Sequence, residues 1–190
     1  MIQRQSFKLS LIISLIPVLL IYAPSFAEDS PLISIGPRVG FTGKSPFLGK
    51  EQKYNFHLYD VAAVFRLPWS WPLGEDGWRL ETRLITTAGY LAAAGDSGFM
   101  GTVLPDLALS AWKGLVTVDV GLGVGFFSTY KFGEQDFGGP VQVVGTAGIR
   151  VHPISHAYAG FRVQHFSDAT LYGTSSLGVD MYIVEIGYKF

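Results

Sequence analysis

Between Val116 and Phe126 the chain alternates without a break. Val116, Val118, Val120, Leu122, Val124 and Phe126 share one parity, while Thr117, Asp119, Gly121, Gly123 and Gly125 share the other. Successive side chains of a strand point to opposite faces, so this stretch predicts a β-strand with one apolar face and one small or polar face. A helix would not repeat that period. The pattern recurs in the first strand, where Ile33, Ile35, Pro37, Val39 and Phe41 oppose Ser34, Gly36, Arg38 and Gly40. From Trp78 onward, Leu80, Thr82, Leu84 and Thr86 alternate with Arg79, Glu81, Arg83 and Ile85. The Arg-Glu-Arg series can pair inside a closed lumen, where isolated charges would be costly. Val141, Val143, Gly145, Ala147, Ile149 and Val151 likewise oppose Gln142, Thr146, Arg150 and His152.

Counting the less regular segments gives eight candidate strands, at about 32–41, 54–67, 77–94, 98–112, 115–127, 140–152, 156–168 and 179–190. Punctuated connections separate some of them: Pro68-Trp69-Ser70-Trp71-Pro72 with Gly74 and Gly77, then Lys113-Gly114, then Pro153-Ile154-Ser155. Longer polar or glycine-rich links cover 42–53, 128–139 and 169–178. Short turns alternating with long loops, and an even strand number, predict an all-β fold: an eight-stranded antiparallel transmembrane β-barrel. Trp69, Trp71, Trp78 and Trp112 fall near strand ends and are expected in interfacial girdles.

The composition fits a wall of this kind. Of 190 residues 48% are hydrophobic, and 23 are Gly. After Ala27 no run of 18 or more apolar residues occurs, so the spans are expected to be strands. Before it, Arg4 and Lys8 lead into an apolar run from Leu9 to about Tyr22, and Ala23-Pro24-Ser25-Phe26-Ala27 ends in a small-x-small step. That order predicts a signal peptide over 1–27 and a barrel domain over 28–190. Beyond Ala27 stand 12 basic and 15 acidic residues, which gives no reason to expect a nucleic-acid partner. The chain has no Cys, which excludes disulfides and cysteine metal sites. The final Tyr188-Lys189-Phe190, an aromatic two residues before a terminal Phe, resembles the signal read by the barrel-assembly machinery of Gram-negative outer membranes.

Three polar residues break the apolar face of the last two strands. His165 and Ser167 share a parity with Phe161 and Val163, and Asp180 shares one with Tyr182, Val184, Ile186 and Tyr188. Polar groups facing lipid are costly without partners. His165 and Ser167 lie roughly 7 Å apart at Cα by strand rise, so their side chains can meet. A hairpin pairing 165 or 167 with 180 would set the carboxylate beside the imidazole. This suits a Ser–His–Asp triad with Ser167 as nucleophile, His165 as base and Asp180 as orienter. The bland alternative is a polar pair in the headgroup zone.

His165-Phe166-Ser167-Asp168-Ala169, with Gly178-Val179-Asp180 and the run to Phe190, resembles the C-terminal signature of the PagL family of outer-membrane lipid A 3-O-deacylases. The resemblance implies a lipid-facing serine esterase acting on the 3-linked hydroxyacyl ester of lipid A, the lipid portion of lipopolysaccharide, with Ser167, His165 and Asp180 as its triad. It implies no cofactor and no metal, and outer-membrane lipids as surroundings. The chain departs from the pattern at Asp168 and Ser176, where Asn is common, at Thr170, where Gly is frequent, and at Asp180, where the family commonly has Glu. Oxyanion donors are then expected from the backbone around Ala169 and Thr170 and from the Ser176 hydroxyl. A non-enzymatic structural or adhesive barrel and another lipid esterase or acyltransferase stand as alternatives, and a homodimer is left open. His152 and His156 flank a turn and are read as solvent-exposed rather than a metal pair. Glu134 and Asp136 could hold a divalent cation, or be a plain solvated loop.

Overall fold

Eight long strands pair edge to edge and close on themselves in the computed structural model, which describes residues 30–42, 52–74, 77–169, 171–172 and 178–190. They are β1 (Leu32–Phe41), β2 (His57–Leu73), β3 (Trp78–Ala93), β4 (Asp96–Ala111), β5 (Val116–Phe127), β8 (Val141–Ile154), β9 (Ala157–Ser167) and β10 (Val179–Lys189). Two short strands, β6 (Lys131–Phe132) and β7 (Gln135–Asp136), form a separate miniature hairpin between β5 and β8. Every barrel pair is antiparallel, and β1 closes the ring against β10. Closure removes the sheet edges that would otherwise seek partners. The predicted signal segment over 1–27 and most of the 42–53 link lie outside the described residues.

The predicted parities hold around the wall. Val39, Val118, Val120, Leu122, Val124 and Ile149 are exposed on the outer face, while Arg38, Thr117, Asp119, Gln142 and Arg150 are buried inside. One prediction fails. The stretch from Pro68 to Pro72, read as a link, belongs to β2, which runs on to Leu73 past an irregularity between Arg66 and Ser70. The prolines are tolerated because β1 stops opposite Phe65, so the rest of β2 pairs on one side only. The 128–139 link, in turn, contains the β6–β7 hairpin.

The barrel has two unlike ends. At the turn end lie Gly74 and Gly77 between β2 and β3, Trp112–Gly114 and Ser155–His156; Trp69, Trp71 and Trp112 are exposed there, and Trp78 is half-buried against Trp112 with ring centroids 6.0 Å apart. At the loop end lie Thr42, residues 52–56 and 128–140, Asp168-Ala169 and Gly178, joined by a tight turn at Ala94-Gly95. The interior changes character between them. Near the loop end Phe56, Phe127, Phe132, Phe137 and Phe166 pack at ring-centroid distances of 5.2–6.0 Å, in tilted or edge-on pairs. Towards the turn end the lumen is ionic. Arg38 binds Asp60 through two contacts of 2.7 and 2.5 Å, and Arg150 binds Glu185 through contacts of 2.6 and 3.0 Å. Arg162 meets Asp119 at 2.7 Å, and Arg83 meets Glu81 at 2.6 Å. Forked guanidinium–carboxylate contacts offset desolvation that neither charge could bear alone.

Candidate active site

Strands β9 and β10 bring His165 and Asp180 into contact at the loop end, with Ser167 two residues along the same face and its hydroxyl bonded to the Ala169 backbone instead of to the imidazole. His165 stands directly opposite Asp180 in the ladder, one of the two registers expected from the sequence. Their side chains meet on the outer face, with His165 Nδ1 2.5 Å from Asp180 Oδ1. The acceptor is a carboxylate, so Nδ1–H donates, which fixes the tautomer and leaves Nε2 as the nitrogen not engaged by Asp180. Asp180 is 1% exposed although it shares its parity with Val184, which is 50% exposed. The imidazole side chain keeps 22% exposure, so the carboxylate is sealed while the ring stays reachable. An oriented imidazole over a dry carboxylate is the arrangement a general base requires.

Ser167 lies two residues beyond His165, at the end of β9, half-buried on the same face. Its Oγ accepts a hydrogen bond of 3.1 Å from the backbone N–H of Ala169, which adopts a left-handed φ of 47°. Of the predicted oxyanion donors, Ala169 thus has its N–H bonded to the Ser167 hydroxyl oxygen. Thr170 and Ser176 lie outside the described residues. Asp168 points the other way and is buried.

Cross-strand neighbours leave the approach open. Gly145 on β8 stands opposite His165, and a Cβ there would meet nothing within 4 Å. Val143 stands opposite Ser167. The imidazole therefore has open space on its β8 side, along a wall of apolar side chains.

Gly178 closes the other side. Its φ is +61°, and a Cβ there would lie 2.9 Å from His165 Cε1 and 2.9 Å from the Phe166 carbonyl oxygen. The Gly-x-Asp step thus needs glycine both for its backbone conformation and for the imidazole's place. From the interior, Gln52 Nε2 donates to the Gly178 carbonyl at 3.0 Å. Gln135, buried on β7, donates to Gln52 Oε1 at 2.7 Å and to the same carbonyl at 3.4 Å. The sequence reading passed over both glutamines. A lone polar residue in a loop carries no period, although Gln135 between Phe132 and Phe137 hinted at a buried turn.

The weaker candidates do not assemble into sites. Glu134 faces Lys53 at 3.3 Å and Asp136 faces Lys131 at 3.9 Å, so each acid has a cation beside it. His156 stacks on Tyr188 with ring centroids 5.3 Å apart, and its Nδ1 contacts the Lys189 carbonyl. Among the described residues no group of three His, Asp or Glu side chains is arranged to hold a metal ion.

Comparison with known proteins places these features in context. The sequence matches the family described as Lipid A 3-O-deacylase (PagL) over residues 57–189. The fold resembles the crystal structure of the outer membrane enzyme PagL at 20% identity and a TM-score of 0.65, covering 83% of this chain and 99% of that one. Ail, the attachment invasion locus protein of Yersinia pestis, crystallised with the heparin analogue sucrose octasulfate, aligns at 15% identity and a TM-score of 0.45, covering 84% of this chain and 97% of that one. No curated protein matches the chain.

Proposed function

The chain belongs to the lipid A 3-O-deacylase (PagL) family and is an integral β-barrel of the outer membrane, and from that premise we propose that Ser167, His165 and Asp180 hydrolyse the 3-linked hydroxyacyl ester of lipid A. Short turns of such barrels face the periplasm, so the loop end lies in the outer leaflet, where lipopolysaccharide resides. The observation that carries the reading is the 2.5 Å contact between His165 Nδ1 and Asp180 Oδ1 on the lipid face, two residues from Ser167. A buried ion pair serving only stability would belong in the lumen, as the other pairs do.

Ser167 Oγ attacks the ester carbonyl carbon while its proton passes to His165 Nε2, and Asp180 stabilises the imidazolium. The oxyanion forms beside the Ala169 N–H, with Thr170 and Ser176 as the further donors of the proposal. Collapse of the tetrahedral intermediate breaks the bond to the sugar oxygen, which takes the proton from His165 and leaves as the free 3-hydroxyl. Water, deprotonated by His165, then attacks the acyl-enzyme and releases the hydroxy fatty acid. The ester never has to leave the membrane, because the open space beside Gly145 admits it from the lipid side. Export by a signal peptide over residues 1–27 completes the reading.

The test is mass analysis of lipid A from a Gram-negative host expressing either the wild type or Ser167→Ala. Loss of one hydroxyacyl group with the wild type only, both proteins being membrane-inserted and heat-modifiable, is the expected result. Equal deacylation by both would remove Ser167 from the mechanism. No deacylation by either would favour a non-enzymatic barrel or another lipid substrate.

A further inference from the structure

The turn end of the lumen opens into a cavity of ≈ 370 Å³ that the catalytic reading does not use. Among the described residues its charged lining is lopsided: Arg66, Arg79, Arg83, Lys113 and Lys189 surround the single carboxylate of Glu81. Arg150 also reaches it, but its guanidinium is forked onto Glu185. Glu81 serves Arg83 at 2.6 Å and Arg79 at 3.8 Å. Among the described residues Arg66, Lys113 and Lys189 have no carboxylate within ion-pair distance, whereas the ionic layer above them is closely matched in sign. The hydroxyls of Ser110 and Thr117, 3.3 Å apart, add hydrogen-bonding groups to the same wall. Cations concentrated in a low-dielectric recess create a strong field for an anion.

A second hollow of ≈ 250 Å³ adjoins the first and shares Lys113, Gly114, His152 and Lys189 with it. Its remaining lining includes Trp112, Leu115 and Ile154, all exposed on the outer face. The path therefore runs from a cationic recess across two lysines to an apolar, membrane-facing cleft. The turn between them is strained. Trp112 and Lys113 both hold left-handed φ values, 50° and 58°, where Asn or Gly would be usual. Lys113 lines both hollows from this turn, and Trp112 lines the second.

We propose that this double hollow binds the phosphate of an anionic phospholipid of the inner leaflet, with its headgroup in the cationic recess and an acyl chain over Trp112, Leu115 and Ile154. Guanidinium and ammonium groups recognise phosphate oxygens by charge-assisted hydrogen bonds. The apolar cleft is what favours a lipid over a soluble phosphate ester.

Native mass spectrometry of the folded full-length barrel tests this, with phosphatidylglycerol, phosphatidylethanolamine of the same chains, and glycerol 3-phosphate as probes. Phosphatidylglycerol should be retained about tenfold more than phosphatidylethanolamine, which has the same phosphate but adds a headgroup ammonium that the cationic lining repels. That preference should fall in Lys113→Gln, and in Arg79→Gln, whose side chain is 58% exposed and so removable without opening the lumen. Lys131→Gln, at the loop end, should leave it unchanged. Equal retention of the two lipids, an undiminished preference in both cavity variants, or binding of glycerol 3-phosphate without phosphatidylglycerol would each overturn the proposal.

Discussion

Polar side chains occur in this barrel under two opposite arrangements. In the lumen, buried charges are mostly held in forked ion pairs: Arg38 spends two nitrogens on Asp60, Arg150 two on Glu185, and Arg162 reaches Asp119, Glu185 and Thr146. On the outer face at the loop end, the polar set is small and deliberately incomplete. Asp180 is consumed by His165, but His165 keeps a second ring nitrogen and Ser167 accepts one backbone N–H. A network of buried ion pairs holds a structure in place. An unsaturated polar set on a rigid wall can still exchange a proton.

The comparison breaks most sharply at one substitution from each set. Asp180→Asn keeps size and most packing while removing the charge that orients the imidazole. Deacylation is expected to fall by about 10⁴-fold, the scale seen when a triad loses its acid. The denaturation midpoint should move little, because the neutral amide still fits the site. Arg162→Ala is the converse. It leaves Asp119 and Glu185 buried without their shared cation, which should cost about 3–5 kcal/mol of stability. Activity per folded molecule should survive, as Arg162 faces the lumen and the triad faces lipid. Urea titrations of both variants, alongside lipid A turnover normalised to folded protein, would collapse the distinction if each lost both properties.

Alternation carried the wall, because a period of two is written locally and the barrel imposes no other. It also carried the shared face of His165, Ser167 and Asp180, which all keep the apolar parity of their strands. What it could not carry was pairing depth. Pro68 and Pro72 look like breakers, and only the end of β1 opposite Phe65 shows why they are harmless in an unpaired flank of β2. The β6–β7 hairpin stayed hidden for a related reason. Gln135 is buried by tertiary contact with Gln52 and Gly178, and no local pattern encodes a contact across 83 residues.

The smallest expected effect is the most discriminating about how the outer set is held. Gly178→Ala adds one methyl group whose carbon would start 2.9 Å from His165 Cε1, at a φ that costs any L-residue. The backbone has little freedom to retreat, because the Gly178 carbonyl is held from inside by Gln52 and Gln135. The methyl group must therefore displace the imidazole, which sits between that glycine and the open space at Gly145. Stability should drop by about 1 kcal/mol from the strained φ alone. Turnover should fall by about tenfold or more, since small misplacement of a base is amplified in rate. Pairing the variant with Gln135→Leu separates the two causes. If the glutamines are what hold the backbone rigid, releasing them lets the main chain yield and part of the lost turnover returns. A double variant no better than Gly178→Ala alone would mean that the left-handed backbone itself, and not the clamp beneath it, fixes where the imidazole stands.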